Sequence, residues 1–106
     1  MNGKTTIFAV STGSGRAGIA VVRLSGPDCR VVLEALTGSV PEARRAVLRS
    51  IRSMNSTELI DQGMVLYFAA PHSVTGEDVA EFHVHGSPVV VERLLRELSL
   101  FENCKP

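Results

Sequence analysis

Few of the features that would settle a function by themselves occur in this chain. Its 106 residues contain two cysteines, Cys29 and Cys104, far apart and without metal-ligand spacing. Eleven Lys and Arg balance eleven Asp and Glu, so the formal net charge is zero and no block of like charge stands out. Non-specific attraction to nucleic acid therefore gains nothing from the chain as a whole. The first residues, Met1-Asn2-Gly3-Lys4, lack the apolar run of a signal peptide, and no stretch approaches membrane-spanning length. No G-x-x-x-x-G-K-[ST] segment occurs, so these residues carry no phosphate-cradling P-loop. The absences lead to the expectation of a reduced, cytoplasmic, soluble domain with no membrane partner, whose thiols are ordinary packing or surface residues.

What is present suffices for a core. Hydrophobic residues make up 44% of the chain, and a chain of this size buries ~65% of its unfolded surface as one domain over residues 1–106. Thr5 to Val10 and Gly18 to Leu24 are short, apolar, β-branched runs and read as strands. Pro27 and Asp28 suit the first turn of a helix that carries Val31, Val32, Ala35 and Leu36 and stops at Gly38. Ala46 to Ile51 and Asp61 to Ala69 read as a hairpin, the second strand placing Met64, Leu66 and Phe68 opposite Val65 and Tyr67. Asp78 to His85 is a fifth strand. Ser87 and Pro88 then open a helix with Val90, Val91, Leu94, Leu95 and Leu98 on one side and Glu92, Arg93, Arg96 and Glu97 on the other. The order β-β-α-β-β-β-α predicts an α+β fold with a mainly antiparallel or mixed sheet packed with two helices.

Several stretches could carry chemistry. Gly13-Ser14-Gly15-Arg16-Ala17-Gly18 matches G-x-G-x-x-G after a strand, but Ile19-Ala20-Val21-Val22 continues as strand where the dinucleotide fingerprint needs a helix, so the match is read as accidental. Arg44, Arg45, Arg49 and Arg52 form a loose cluster that reads as a solvated face, with RNA or partner contact as the lesser alternative. The richest stretch runs from Thr75 to Gly86. Alternation puts Ala80, Phe82 and Val84 on the core side and Val79, Glu81, His83 and His85 on the other. Arg23, between Val22 and Leu24, interrupts an otherwise apolar strand and needs an anionic partner. Two accounts stay open at this point. Arg23 and Glu81 form a structural ion pair, or they share a polar pocket in which the carboxylate grips adjacent N–H donors and the arginine an anionic or carbonyl group. His83 and His85 are too few to specify a metal, and the predicted cap role of the Ser87 hydroxyl leaves no nucleophile for a stand-alone hydrolytic site.

Two motifs then carry a resemblance. Thr6-Ile7-Phe8-Ala9-Val10 followed by Gly15-Arg16-Ala17-Gly18-Ile19-Ala20-Val21-Val22-Arg23-Leu24-Ser25-Gly26 resembles the start of the tRNA modification GTPase family (MnmE, also called TrmE). Pro71 to Gly86 resembles that family's S-[FY]-T-G-E-D-x-x-E-x-x-x-H-G segment, with Val74 where an aromatic is common and His83 and Val84 where Gln and Gly are. The resemblance covers nearly all of these residues and falls on the family's N-terminal domain.

It implies a fold like tetrahydrofolate-binding (aminomethyltransferase-like) domains, a 5-formyltetrahydrofolate-type ligand held by Arg23 and Glu81, and homodimerisation. It also implies a full-length hydrolase that works with an FAD-dependent partner of the MnmG (GidA) type on the wobble uridine of certain tRNAs. The helical domain, and the G domain that takes GTP, potassium and magnesium, would lie outside these residues, so this segment is expected neither to hydrolyse GTP nor to modify tRNA unaided. The glycine-rich loop and the first strand are the expected dimer contacts. The competing expectation is a purely structural dimerisation module in which Arg23 and Glu81 only pair with each other.

Overall fold

The computed structural model describes residues 5–11 and 18–106. Thr6–Val10 (β1) and Ile19–Ser25 (β2) are followed by helix Cys29–Thr37 (α1). Strands Val47–Arg52 (β3), Leu59–Phe68 (β4) and Val79–His85 (β5), helix Pro88–Leu98 (α2) and the two-residue strand Cys104–Lys105 (β6) complete the order. The strands form one mixed sheet in the spatial order β3-β4-β5-β2-β1-β6. Every neighbouring pair is antiparallel except β1 and β6. The expected α+β fold with two helices is therefore present, with β6 as an addition. Two residues are too short to display alternation, which is why no pattern announces this strand.

β6 also changes the expectation for β1. The β1 N–H at Thr6 donates to Asn103 O at 2.9 Å, and Thr6 and Ile7 pair with Cys104 and Lys105. The first strand is thus flanked on both sides over those residues, and β3 and β6 are the sheet edges. The glycine-containing run at 13–17 lies outside the described residues.

Both helices pack on one side of the sheet. Val22 and Leu24 of β2, Phe82 and Val84 of β5 and Val65 and Tyr67 of β4 meet Val32, Leu33 and Leu36 of α1 and Leu94 and Leu98 of α2 in a single buried cluster. Alternation explains the set: these strand positions share one face, and burying them is the largest stabilising term available to a chain of this length. α1 ends at Gly38, whose φ of 93° is left-handed and whose N–H donates to Glu34 O at 3.0 Å. That closure needs a residue without a Cβ penalty.

Two expectations about α2 change. The Ser87 side chain makes no cap hydrogen bond; its carbonyl instead receives the Val91 N–H at 3.0 Å. Glu97, placed by periodicity with the solvent-side charges, is only 7% exposed. Its Oε1 accepts from Met54 N at 2.7 Å and Ser53 Oγ at 3.1 Å, so it satisfies donors of the β3–β4 turn that would otherwise be buried without a partner. The arginine cluster is exposed or half-buried, with Arg45 on Glu42, Arg49 on Ser39 and Arg52 on the Thr57 carbonyl.

Gly63 deserves its place in β4 for a different reason. A Cβ built there would lie 2.1 Å from the His83 carbonyl oxygen, so any side chain would force β4 and β5 apart. The close approach sits at the level where Met64 pairs with His83.

Candidate functional site

The sheet face without helices carries Ile7 and Ala9 of β1, Ile19, Val21, Arg23 and Ser25 of β2, and Val79, Glu81, His83 and His85 of β5. Their registers run Ala9–Arg23–Glu81–Leu66 and Val21–His83–Met64 across the strands. Arg23 and Glu81 are therefore directly opposite, as two adjacent antiparallel strands require when both residues sit on the same face. Arg23 Nε and Nη2 both donate to Glu81 Oε2, at 3.0 and 2.7 Å. The other carboxylate oxygen, Oε1, faces His83 Nε2 at 2.9 Å. Burial pushes the Glu81 carboxyl up, but hydrogen bonds from His83 and Arg23 outweigh it and hold the group below the ordinary glutamate range. The acid is ionised in its site, with both oxygens engaged.

Two recesses flank Arg23. One, of about 210 Å³, is lined by Arg23, Phe68, Val74, Val79 and Glu81. The other, of about 240 Å³, has apolar walls from Ile7, Phe8 and Ala9, with Ser11, Arg23 and Ser25 around them. Each is smaller than the ~300–1,000 Å³ of a typical small-molecule site, and Arg23 lines both.

The turn at Thr75-Gly76-Glu77-Asp78 builds the first of these recesses. Ser25 Oγ lies 2.7 Å from Thr75 Oγ1 and donates to Glu77 Oε1 at 3.0 Å. Asp78 closes the loop from the other end, taking the Ala70 N–H on Oδ1 at 2.8 Å and the Gly26 N–H on its carbonyl at 2.9 Å. These bonds fasten the loop to the end of β2, with Val74 and Phe68 beside the Arg23–Glu81 pair. Val79, although on the polar side of β5, is 1% exposed. The motif residues thus act as a latch, and the side chains between them line the recess.

The histidines have separate partners. His85 Nδ1 meets both Asp61 oxygens at 2.9 and 3.0 Å, and its backbone N–H donates to Oδ2 at 2.8 Å. Burial raises the Asp61 carboxyl, and the His85 N–H and ring with the Gln62 N–H bring it below the ordinary aspartate range. Sequence reasoning did not reach Asp61, because finding it requires the β4–β5 register rather than a periodicity. No group of three or more metal-binding side chains occurs among the described residues. Both cysteines are buried, and burial pushes the Cys29 thiol up to about 12 and the Cys104 thiol up to about 11. Such thiols pack rather than react. Among the described residues no helix is long and apolar enough to cross a membrane.

Comparison with known proteins agrees with the two motifs. Residues 6–105 match the family model described as GTP-binding protein TrmE N-terminus. The chain is 50% identical over 101 residues to the tRNA modification GTPase MnmE of Pelagibacter ubique, covering 94% of this chain and 23% of that protein. It is 49% identical over 100 residues to the MnmE of Brucella canis, covering 94% and 22%. It is 47% identical over 104 residues to the mitochondrial 5-taurinomethyluridine-[tRNA] synthase subunit GTPB3 of Danio rerio, covering 98% and 21%. The chain spans less than a quarter of the length of each of these relatives.

Proposed function

The chain belongs to the TrmE N-terminus family, and from that premise we infer that it serves as the N-terminal domain of a tRNA modification GTPase, binding a 5-formyltetrahydrofolate-type one-carbon donor between Arg23 and Glu81. The names of the relatives supply the tRNA-modification setting, and in the zebrafish protein a modified uridine. GTP hydrolysis, with its potassium and magnesium, and the encounter with tRNA and an FAD-dependent partner would belong to the longer protein.

The observation that carries the ligand reading is the ionised Glu81 beside Arg23 between two recesses. A reduced pterin presents a flat face and an edge of adjacent N–H donors. Phe68, Val74 and Val79 offer apolar walls to the face, and the carboxylate is an acceptor for the edge. Arg23 is the cation for a carbonyl or carboxylate of the same molecule. When bound, the folate supplies the one-carbon unit; the residues here bind and orient it.

The deciding experiment is calorimetric titration of 5-formyltetrahydrofolate into the parent chain and into Glu81→Ala. The parent binds, and the variant loses about tenfold or more in affinity, the worth of a charge-assisted hydrogen bond. Equal binding by both would sink the site assignment, and no binding by the parent would sink the folate reading.

A second reading has its own support. Ile7, Ile19 and Leu48 are 49%, 58% and 63% exposed on or beside the same face, which suits homodimerisation through that face whether or not folate binds there. Under it, sedimentation finds a dimer and Arg23–Glu81 is only an internal pair.

A further inference from the structure

His83 has no part in the ligand reading above, yet it occupies one oxygen of the residue on which that reading turns. We propose that His83 is a positioning residue of the Arg23–Glu81 clamp, holding Glu81 Oε1 and yielding it to the ligand, so that the charge on its ring sets the ligand affinity. This rests on the folate reading of the same site and adds a regulator to it.

The argument begins with the acceptor capacity of one carboxylate. An ionised carboxylate offers about four lone-pair sites, two on each oxygen. Arg23 fills both on Oε2, through Nε at 3.0 Å and Nη2 at 2.7 Å. His83 Nε2 takes one on Oε1 at 2.9 Å. A ligand edge with two N–H donors therefore converges on Oε1 and finds both sites there only when His83 lets go. Arg23 is the harder of the two to displace, because it is always charged and holds with two bonds, whereas a neutral imidazole holds with one.

The surroundings leave the ring room to move and leave it open to solvent. Its neighbours across the strands are Val21 on β2 and Met64 on β4, both apolar. The charged groups around it are Glu81 on its own strand and Arg23 on β2; His85, two residues on, is engaged by Asp61 of β4. A recess of about 220 Å³ lined by Ile19, Met64, His83 and His85 gives a released ring somewhere to turn. His83 Nδ1 has no hydrogen-bond partner among the described residues, and the side chain is 30% exposed, so a second proton reaches the ring from solvent. The ionised carboxylate already makes the bond from a neutral ring charge-assisted, and a protonated ring adds the attraction of a full ion pair across 2.9 Å. Acid therefore tightens the hold on Glu81 and opposes the ligand. Glu81 stays ionised across this range, because its own carboxyl titrates below the ordinary value.

The test is titration of 5-formyltetrahydrofolate into the parent and into His83→Gln at about pH 8 and pH 5.5, which bracket the usual range of imidazole charging. Parent affinity falls about fivefold or more on acidification, while His83→Gln, which keeps a neutral donor, changes less than about twofold. Nitrogen-detected NMR of the neutral ring supplies a readout independent of folate: Nε2 carries the proton in the parent, and Glu81→Ala removes that preference. The same pH slope in parent and variant overturns the role of His83 while leaving the folate site standing. Absence of binding at both pH values, with the tautomer preference intact, overturns the folate reading and this role with it. A ring with no Nε2–H preference overturns the contact itself.

Discussion

The two faces of the sheet are made by the same strands and obey different rules. On the helix side, β2, β4 and β5 present Val22, Leu24, Val65, Phe82 and Val84, each at most 2% exposed. On the other side the same strands present Arg23, Glu81, His83 and Met64, all partly open. One face is closed by α1 and α2, and any well-packed apolar set of similar volume would serve there. The other holds an ion pair, two imidazoles and exposed aliphatic residues on a surface that no helix covers among the described residues. The first face explains why the chain folds. The second holds the charged and imidazole side chains that could meet a ligand.

Breaking the covered face has the largest consequence. Phe82→Ala removes a fully buried ring from the centre of the sheet and should cost about 3–5 kcal/mol in urea unfolding. The loss of Glu81, on the adjacent position but the opposite face, should leave most of that stability in place, and equal losses would erase the distinction between the faces.

A smaller effect comes from acid. The Asp61 and Glu81 carboxyls both titrate below their ordinary values in the fold. The stability they add is therefore complete above the ordinary carboxylate values of about 4, and is lost as pH falls through the lower folded values. The urea midpoint should drop between about pH 5 and pH 3, and Asp61→Asn should flatten that drop. A midpoint that rises on acidification would show that these pairs do not hold the open face together.

The smallest change in stability belongs to Ile19→Lys. This residue is 58% exposed, so unfolding should move by no more than about 0.5 kcal/mol. On the reading that the open face joins two copies, sedimentation should nevertheless show Ile19→Lys with a lower mass than the parent, since a charge is placed where two apolar faces would meet. An unchanged mass would remove the open face as the contact.

Alternation alone makes the two faces legible in the sequence. Arg23 stood out because it broke an apolar run, and Glu81 because it shared its side of a strand with two imidazoles. Period two puts each on the open side of its strand, and the β2–β5 register then stands them opposite each other. What alternation does not supply is register between strands distant in sequence, so Asp61 beneath His85 went unseen. Glu97 was misplaced because helical periodicity sorts residues by polarity, whereas the Met54 N–H and Ser53 hydroxyl required an acceptor wherever they were buried. The latch role of Thr75 and Glu77 was hidden for a similar reason, since both act on Ser25, about fifty positions earlier. The family motif marked the place without giving its mechanics.

The parallel pairing of Thr6 and Ile7 with Cys104 and Lys105 bears on how the domain is made. The contact joins segments about a hundred residues apart, so its loop-closure entropy is larger than that of the β3–β4 hairpin. During synthesis, β1 emerges first and waits for almost the whole domain before β6 can cover its edge. Until then Thr6 and Ile7 present unpaired backbone groups of the kind that recruit foreign strands. The shortest strand of the sheet thus covers an edge that the nascent chain leaves open until its residues are made.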